Sequence, residues 1–245
     1  MFRKHLPKIV GLGVICLCFV NPAWADNVNI LMLGDSITQG GKKPNEFSYR
    51  YSLFQLLVDE HICFDFVGTR NHPHKAGFIW PKYKGLKFDR DHEGYYGITT
   101  KGLLTKIKHK QNQWKAADIV LLHIGTNDRK SDTFQVDVVA PLKQIMEELR
   151  TLNPNILIFV SLLNQNYGNI DGVRSALQQA ITWAQGRGMR VFPVQHNIGW
   201  TERPNLENSD TLDWVHPNIR GQNKMASVWF KEMEKHYAFS RNCRR

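Results

Sequence analysis

Five short segments of this chain are mostly apolar, and patterns typical of helices separate them. The predicted strands cover residues 29–33, 64–67, 118–124, 156–161 and 189–194. The predicted helices cover residues 48–60, 100–114, 133–152, 173–185 and 218–237. Strands without a polar face are typical of a parallel sheet that helices cover on both sides. The alternation of the two kinds of segment therefore predicts an α/β fold.

Pro141 lies inside the predicted helix 133–152. Because proline lacks the N–H that a helix interior needs, we expect this helix to be kinked or split in two. The long connection from 69 to 99 is rich in glycine, aromatic and charged residues, and loops of this length are often functional.

The first 25 residues have the pattern of a secretory signal peptide. Three basic residues precede an apolar stretch at 9–20, and Ala23-Trp24-Ala25 forms an A-x-A cleavage signal. The apolar stretch is shorter than the roughly 20 residues that a membrane span needs. We therefore expect cleavage after Ala25, export to the periplasm or the medium, and no stable membrane insertion afterwards. Residues 26–245 are predicted to form a single domain.

The chain is basic, with 32 Lys and Arg against 22 Asp and Glu and a formal net charge of +10. The excess is spread along the sequence, which favours a solvated surface, although attraction to anionic polymers or membrane surfaces remains an alternative. Motifs of the common nucleic-acid-binding folds are missing from the sequence, so no nucleic-acid partner is expected.

Two cysteines, Cys63 and Cys243, lie outside the predicted signal peptide. They could form a disulfide in an oxidising compartment, or Cys63 could be a buried free thiol in its apolar surroundings. The sequence does not give the distance that a disulfide requires.

Polar residues follow the predicted strands, as expected if a site lies at the carboxyl ends of a parallel sheet. Ser36 ends the first of these motifs, Gly34-Asp35-Ser36. A serine nucleophile needs a base and a group that orients the base, and Asp213 and His216 near the end of the chain offer both. Asn127 and backbone N–H groups are candidate donors to an oxyanion.

Four motifs follow one another along the chain: GDSIT at 34–38, EGYYGIT at 93–99, GTND at 125–128 and DWVH at 213–216. Together they resemble the four sequence blocks of the SGNH (GDSL-type) hydrolase superfamily, over residues 29–230. The resemblance implies a flavodoxin-like three-layer α/β/α fold with a central five-stranded parallel sheet. It also implies Ser36 as nucleophile, His216 as base and Asp213 as its orienting acid, with an oxyanion hole formed by Ser36, Gly97 and Asn127. The G-x-S-x-G motif of the larger α/β-hydrolases is absent, because Thr38 occupies its last position.

The segments FSYRYSLFQLL, FDFVGTR, DHEGYYGITT and LLHIGTND look like the carbohydrate esterase family 3 group, known for acetylxylan esterases. This chain has Tyr96 where serine is common in that group. The resemblance predicts a serine esterase that removes acetyl groups from a carbohydrate and needs no metal or organic cofactor. Alternatives are a lysophospholipase or thioesterase on the same fold, and a non-catalytic polysaccharide-binding protein.

Several other residues are candidates for roles near the site. Tyr96, Trp214 and Asn164 are predicted to contact substrate, because they neighbour presumed catalytic residues or follow a strand. Asp35 is expected to brace its turn by local hydrogen bonds, and His123 to be a buried structural residue. Two further expectations are that Arg50 and Glu93 form an internal ion pair, and that His72 and His74 lack the third ligand of a metal site.

Overall fold

A computed structural model describes residues 27–110, 113–114, 117–166, 168–241 and 243. The predicted signal peptide lies outside these residues. The strands are β1 (Val28–Gly34), β2 (Phe64–Val67), β3 (Glu93–Gly94), β4 (Ile119–His123), β5 (Leu157–Ser161) and β6 (Val191–Val194). The helices are α1 (Ser36–Gln39), α2 (Ser48–Asp59), α3 (Thr100–Lys110), α4 (Ala140–Leu152), α5 (Ile170–Gln185) and α6 (Ile219–His236).

The five longer strands form a parallel sheet in the order β2-β1-β4-β5-β6. This order is that of flavodoxin-like sheets, and it confirms the predicted five-stranded parallel sheet. The two-residue strand β3 pairs with the end of β1, on the edge where β2 pairs with its beginning. β3 is not among the predicted strands, since two residues are too short for any periodic pattern.

Alternate residues of each strand pack on opposite sides of the sheet. In β1, Leu31 and Leu33 join the cluster formed with α3, α4 and α5, whereas Ile30 and Met32 join the cluster formed with α2 and α6. Because side chains of a strand point alternately to its two faces, a strand covered on both faces must be apolar at every position. The predicted three-layer arrangement is confirmed.

The helix predicted at 133–152 changes its hydrogen-bond pattern near its proline. A π-helical turn, Gln135–Val139, leads directly into α4, and Pro141 lies in the first turn of α4. The backbone stays helical from 134 to 152, and Ala140 N–H donates to the carbonyl of Gln135. The helix is therefore not split in two, and the predicted kink stays a prediction.

Cys63, next to β2, forms a disulfide with Cys243 near the end of the chain, and their Cα atoms are 5.1 Å apart. The backbone supports this pairing, because Cys63 N–H donates to the carbonyl of Ser240 at 2.9 Å. The disulfide therefore ties the segment after α6 to the edge of the sheet. Within the described residues, none of the helices combines the length and apolar character needed to cross a membrane.

Candidate active site

Ser36 lies at the carboxyl end of β1 and is the first residue of the short helix α1. Asp35 caps this helix: its Oδ1 accepts a hydrogen bond from Ile37 N–H at 2.9 Å, and its carbonyl accepts one from Gln39 N–H. These are the local hydrogen bonds expected of Asp35 in a turn. They fix the backbone on both sides of Ser36.

Ser36, His216 and Asp213 are joined by a continuous chain of hydrogen bonds. His216 Nε2 is 3.0 Å from Ser36 Oγ, and His216 Nδ1 is 3.0 Å from Asp213 Oδ2 and 3.1 Å from Oδ1. Because a carboxylate only accepts, Nδ1 carries the proton and Nε2 presents its lone pair to Ser36. The structure therefore brings together residues that are 180 positions apart in the sequence.

The carboxylate of Asp213 is held by the turn that carries His216. Its Oδ1 accepts hydrogen bonds from the backbone N–H groups of Val215 at 2.9 Å and His216 at 2.7 Å. Burial raises the pKa of Asp213, but hydrogen bonds from His216, Lys43 and Val215 outweigh burial and hold that pKa well below its usual range. Asp213 is therefore ionised at any pH at which the protein would work.

Lys43 contacts the carboxylate of Asp213, a contact that was not predicted. Lys43 Nζ lies 2.5 Å from Asp213 Oδ2, and Lys43 N–H donates to Glu46 Oε2 at 2.9 Å. Lys43 lies between α1 and α2 in a stretch without periodicity, so the sequence held no signal for this contact.

The resemblance predicts three hydrogen-bond donors to an oxyanion at Ser36, and each must be free of other acceptors to serve. The backbone N–H groups of Ser36 and Gly97 have no acceptor among the described residues. Asn127 uses one amide hydrogen, donating from Nδ2 to the carbonyl of Ile98 at 2.8 Å, which leaves the second free to bind a ligand. This bond connects the GTND motif to the residue after Gly97.

The geometry favours Gly97 over Gly94 for an oxyanion role. Gly94 N–H already donates to His92 Nδ1 at 2.9 Å, and a Cβ at Gly94 would lie 2.5 Å from Gln39 N. Gly94 is therefore needed for close packing. Gly97 has a φ of +78°, which other residues adopt at a cost, and open space beside its Cα.

Tyr96 covers the outer face of the His216 ring. The two rings stack at a centroid distance of 5.4 Å, and Tyr96 Oη is 3.0 Å from His216 Nε2 and 3.4 Å from Glu46 Oε1. Burial, followed by the charges of Glu46 and Asp213, raises the pKa of Tyr96 above its ordinary value, so the phenol stays protonated. His216 Nε2 thus has two hydroxyl groups within hydrogen-bond distance.

Asn164 lies inside the protein behind the candidate site. It is fully buried, and its Oδ1 lies 3.1 Å from Nε2 of His123, which is buried as expected. His123 Nδ1 in turn lies 3.9 Å from the buried carboxylate of Asp35. The segment after β5 thus turns this side chain towards β4, and the predicted substrate contact stays a prediction.

Arg50 and Glu93 do not form the expected ion pair. Arg50 donates to the backbone carbonyls of Thr38, Gln39 and Arg90. Glu93 accepts from Thr69, Tyr95 and Trp114. Burial lowers the pKa of Arg50 to about 10, so the guanidinium stays charged and braces the segment that follows Ser36.

Trp214 is 52% exposed beside Asp213, so its predicted contact with substrate stays a prediction. His74 stacks on Tyr96 with a centroid distance of 4.0 Å, and His72 is exposed. In the described ranges, groups of three or more His, Cys, Asp or Glu side chains that could hold a metal ion are not found.

Comparisons with known proteins agree with this fold. Similar solved structures include a family 3 carbohydrate esterase from Clostridium thermocellum, with 24% identity, a TM-score of 0.66, and coverage of 86% of this chain and 96% of that one. Another is a family 3 carbohydrate esterase from Talaromyces cellulolyticus, with 22% identity, a TM-score of 0.67, and coverage of 85% and 97%. At these identities the likeness shows the shared SGNH hydrolase fold. Curated protein sequences give no match to the chain.

A sequence profile of the GDSL-like lipase/acylhydrolase family matches residues 32–224, a span that includes Ser36, Asn127, Asp213 and His216. Because this match covers most of the sequence, the chain belongs to the GDSL-like lipase/acylhydrolase family and is a hydrolase of ester bonds.

Proposed function

We propose that this protein is an exported serine esterase that removes short acyl groups, acetyl in particular, from a carbohydrate. The observation that carries the proposal is the hydrogen-bonded chain from Ser36 Oγ through His216 to Asp213. A protein that only bound polysaccharide would have no need for a serine hydroxyl facing the lone pair of an oriented imidazole.

In the proposed reaction, Ser36 Oγ attacks the ester carbonyl while His216 Nε2 takes its proton. Asp213 stabilises the imidazolium that forms, and the new oxyanion accepts from Ser36 N–H, Gly97 N–H and the Asn127 amide. The sugar hydroxyl leaves with the proton from His216, and the acyl group stays on Ser36. Water activated by His216 then releases the acid and restores the serine.

The substrate class is supported by the nature of the similar structures. Two are family 3 carbohydrate esterases, and a third, 21% identical over 85% of this chain with a TM-score of 0.66, is an acetyl esterase mutant with acetate ion. The aromatic rings of Tyr96 and Trp214 lie next to the proposed catalytic residues, where a pyranose ring could pack against them.

Export is supported by two independent features of the chain. The first 25 residues have the charge and hydropathy pattern of a signal peptide. The Cys63–Cys243 disulfide is of the kind that forms and persists in oxidising compartments.

The test is hydrolysis of p-nitrophenyl esters from acetyl to palmitoyl, and of acetylated xylan, by the purified protein. Ser36→Ala removes the proposed nucleophile, and Ser175→Ala, an exposed serine on α5, is the matched control. We expect acetyl-selective activity that Ser36→Ala reduces by at least about 10³-fold, while Ser175→Ala retains it.

Two other outcomes of this experiment would each assign a different function to the protein. A preference for long acyl chains would identify a lipid esterase on the same fold. Polysaccharide binding without any turnover that depends on Ser36 would identify a binding protein and overturn the proposal.

A further inference from the structure

A basic groove lies beside the candidate active site and shares a wall with it. The groove has a volume of about 470 Å³, within the range of small-molecule sites. Its lining includes Arg70, His72, His74, Tyr95, Tyr96 and Lys106. Gly97 also borders it, so a ligand in the groove would lie next to both the proposed oxyanion donor and the tyrosine that contacts His216.

Arg70 lines this groove and has no carboxylate partner among the described residues. Its guanidinium lies over the ring of Tyr95 at 4.5 Å, and its Nε is buried without a hydrogen-bond partner. A guanidinium on the wall of a groove, without a carboxylate partner, favours an anionic ligand there.

Two lysines add positive charge around the same aromatic ring. Nζ of Lys106 lies 5.8 Å and Nζ of Lys110 lies 5.6 Å from the centroid of Tyr95. Neither makes an ion pair within the described parts of the chain. The nearby carboxylate of Glu93 accepts from the hydroxyl of Tyr95. It is fully buried, is also bound by Thr69 and Trp114, and does not line the groove.

We propose that this groove binds the carboxylate of an acidic sugar, so that the substrate of the esterase is an acylated acidic saccharide. The proposal rests on the proposed function, since it assigns the substrate class of the same site. A planar guanidinium stacked on an aromatic ring can bind a carboxylate through two parallel hydrogen bonds. The neighbouring lysines and the basic excess of the whole chain would attract such a polymer at low ionic strength.

The experiment compares two acetylated oligosaccharides that differ in one group, a carboxylate or a hydroxymethyl at C5 of each sugar unit. The quantity measured is kcat/KM for acetate release, at low and at high salt. We expect the full-length protein to prefer the acidic oligosaccharide by about 10-fold or more, and salt to reduce this preference. Arg70→Gln and Lys106→Gln should each lower the preference. Lys108→Gln is the control, because Lys108 lies on α3 but donates to Gln144 outside the groove.

Equal kcat/KM values on the two oligosaccharides would overturn the anionic groove while leaving the esterase proposal intact. Hydrolysis of p-nitrophenyl acetate, which carries no anionic group, reports separately on the reaction site of each variant. If the protein cleaves no ester, the proposed function fails. Binding of the unacetylated acidic oligosaccharide to Ser36→Ala, with and without Arg70→Gln, then tests the groove, and equal binding by both proteins would overturn it.

Discussion

Lys43 and His216 share one oxygen of Asp213. Oδ2 of this carboxylate lies 2.5 Å from Lys43 Nζ and 3.0 Å from His216 Nδ1. The lysine therefore competes with the imidazole for the charge that is proposed to stabilise the imidazolium. This arrangement orients the acid from a second direction and, at the same time, weakens its hold on a protonated His216.

Replacing Lys43 with Gln should move the acid limb of the pH profile of kcat/KM to higher pH. Without the lysine, the carboxylate of Asp213 interacts more strongly with a protonated His216, and His216 must be neutral to accept the proton of Ser36. The pair is partly exposed to solvent, so the expected shift is small. The measurement is p-nitrophenyl acetate hydrolysis from pH 5 to 9, with the exposed Lys231→Gln as control. An acid limb that stays in place or moves to lower pH would contradict this reading of the contact.

Replacing Tyr96 with Phe should lower kcat by about 3- to 10-fold and leave KM nearly unchanged. The phenol donates towards Glu46, so its oxygen can accept from Nε2–H once His216 has taken the proton of Ser36. That hydrogen bond exists only after proton transfer, which is why its loss should affect kcat. The phenylalanine ring keeps the stacking on His216, so the variant isolates the hydroxyl. An increase in kcat would instead show that Tyr96 competes with Ser36 for Nε2 in the resting enzyme.

The fold could be predicted from the strand pattern, and the proposed triad from the four motifs that resemble a known family. Apolar strands alternating with helices imply a parallel sheet, and the carboxyl ends of its strands lie along one edge, where Ser36 and Asn127 are found. His216 could be assigned from its spacing to Asp213, since three residues allow one turn to hold both. These features depend on periodicity and short-range spacing, which a sequence displays directly.

The rest of the site depends on the directions that loop side chains take. Asn164 follows β5 as the motif residues follow their strands, yet it points into the protein and binds His123. Arg50 donates to backbone carbonyls instead of a carboxylate, and such acceptors leave no mark in a sequence. Lys43 reaches Asp213 across 170 positions, through a turn whose geometry no periodic pattern describes.

The different placements of Asn164 and Trp214 predict opposite effects of substitution. Asn164→Ala should lower the free energy of unfolding by about 1–3 kcal/mol, since it leaves buried His123 Nε2 without a partner, and KM should hardly change. Trp214→Ala should leave stability within about 0.5 kcal/mol, because the side chain is 52% exposed, and raise KM for acetylated oligosaccharides. Urea unfolding and steady-state kinetics on both variants check this. A raised KM with unchanged stability in Asn164→Ala would support its predicted contact with substrate.

Because of Asp128, the free energy of unfolding should fall as the pH rises through the weakly acidic range. Asp128 follows β4, and its carboxylate contacts the first residue of α3. It accepts hydrogen bonds from Thr100 N–H at 3.0 Å and from Thr100 Oγ1 at 2.9 Å. Burial raises its pKa to about 6 in spite of these bonds. In the unfolded chain an aspartate has a pKa of about 3.9, so between about pH 4 and 6 the folded state binds more protons than the unfolded state. Stability from this group is therefore present below about pH 4 and is lost as the pH rises to about 6.

Asp128→Asn removes this titration and keeps one oxygen that can accept from Thr100. Between pH 4.5 and 7, the free energy of unfolding of the native protein should fall by about 1–3 kcal/mol more than that of the variant. Urea unfolding at several pH values measures the difference, with the exposed Asp132→Asn as the matched control. Parallel stability curves for the native protein and Asp128→Asn would show that Asp128 keeps its charge in the folded state, so that the two hydrogen bonds from Thr100 offset its burial.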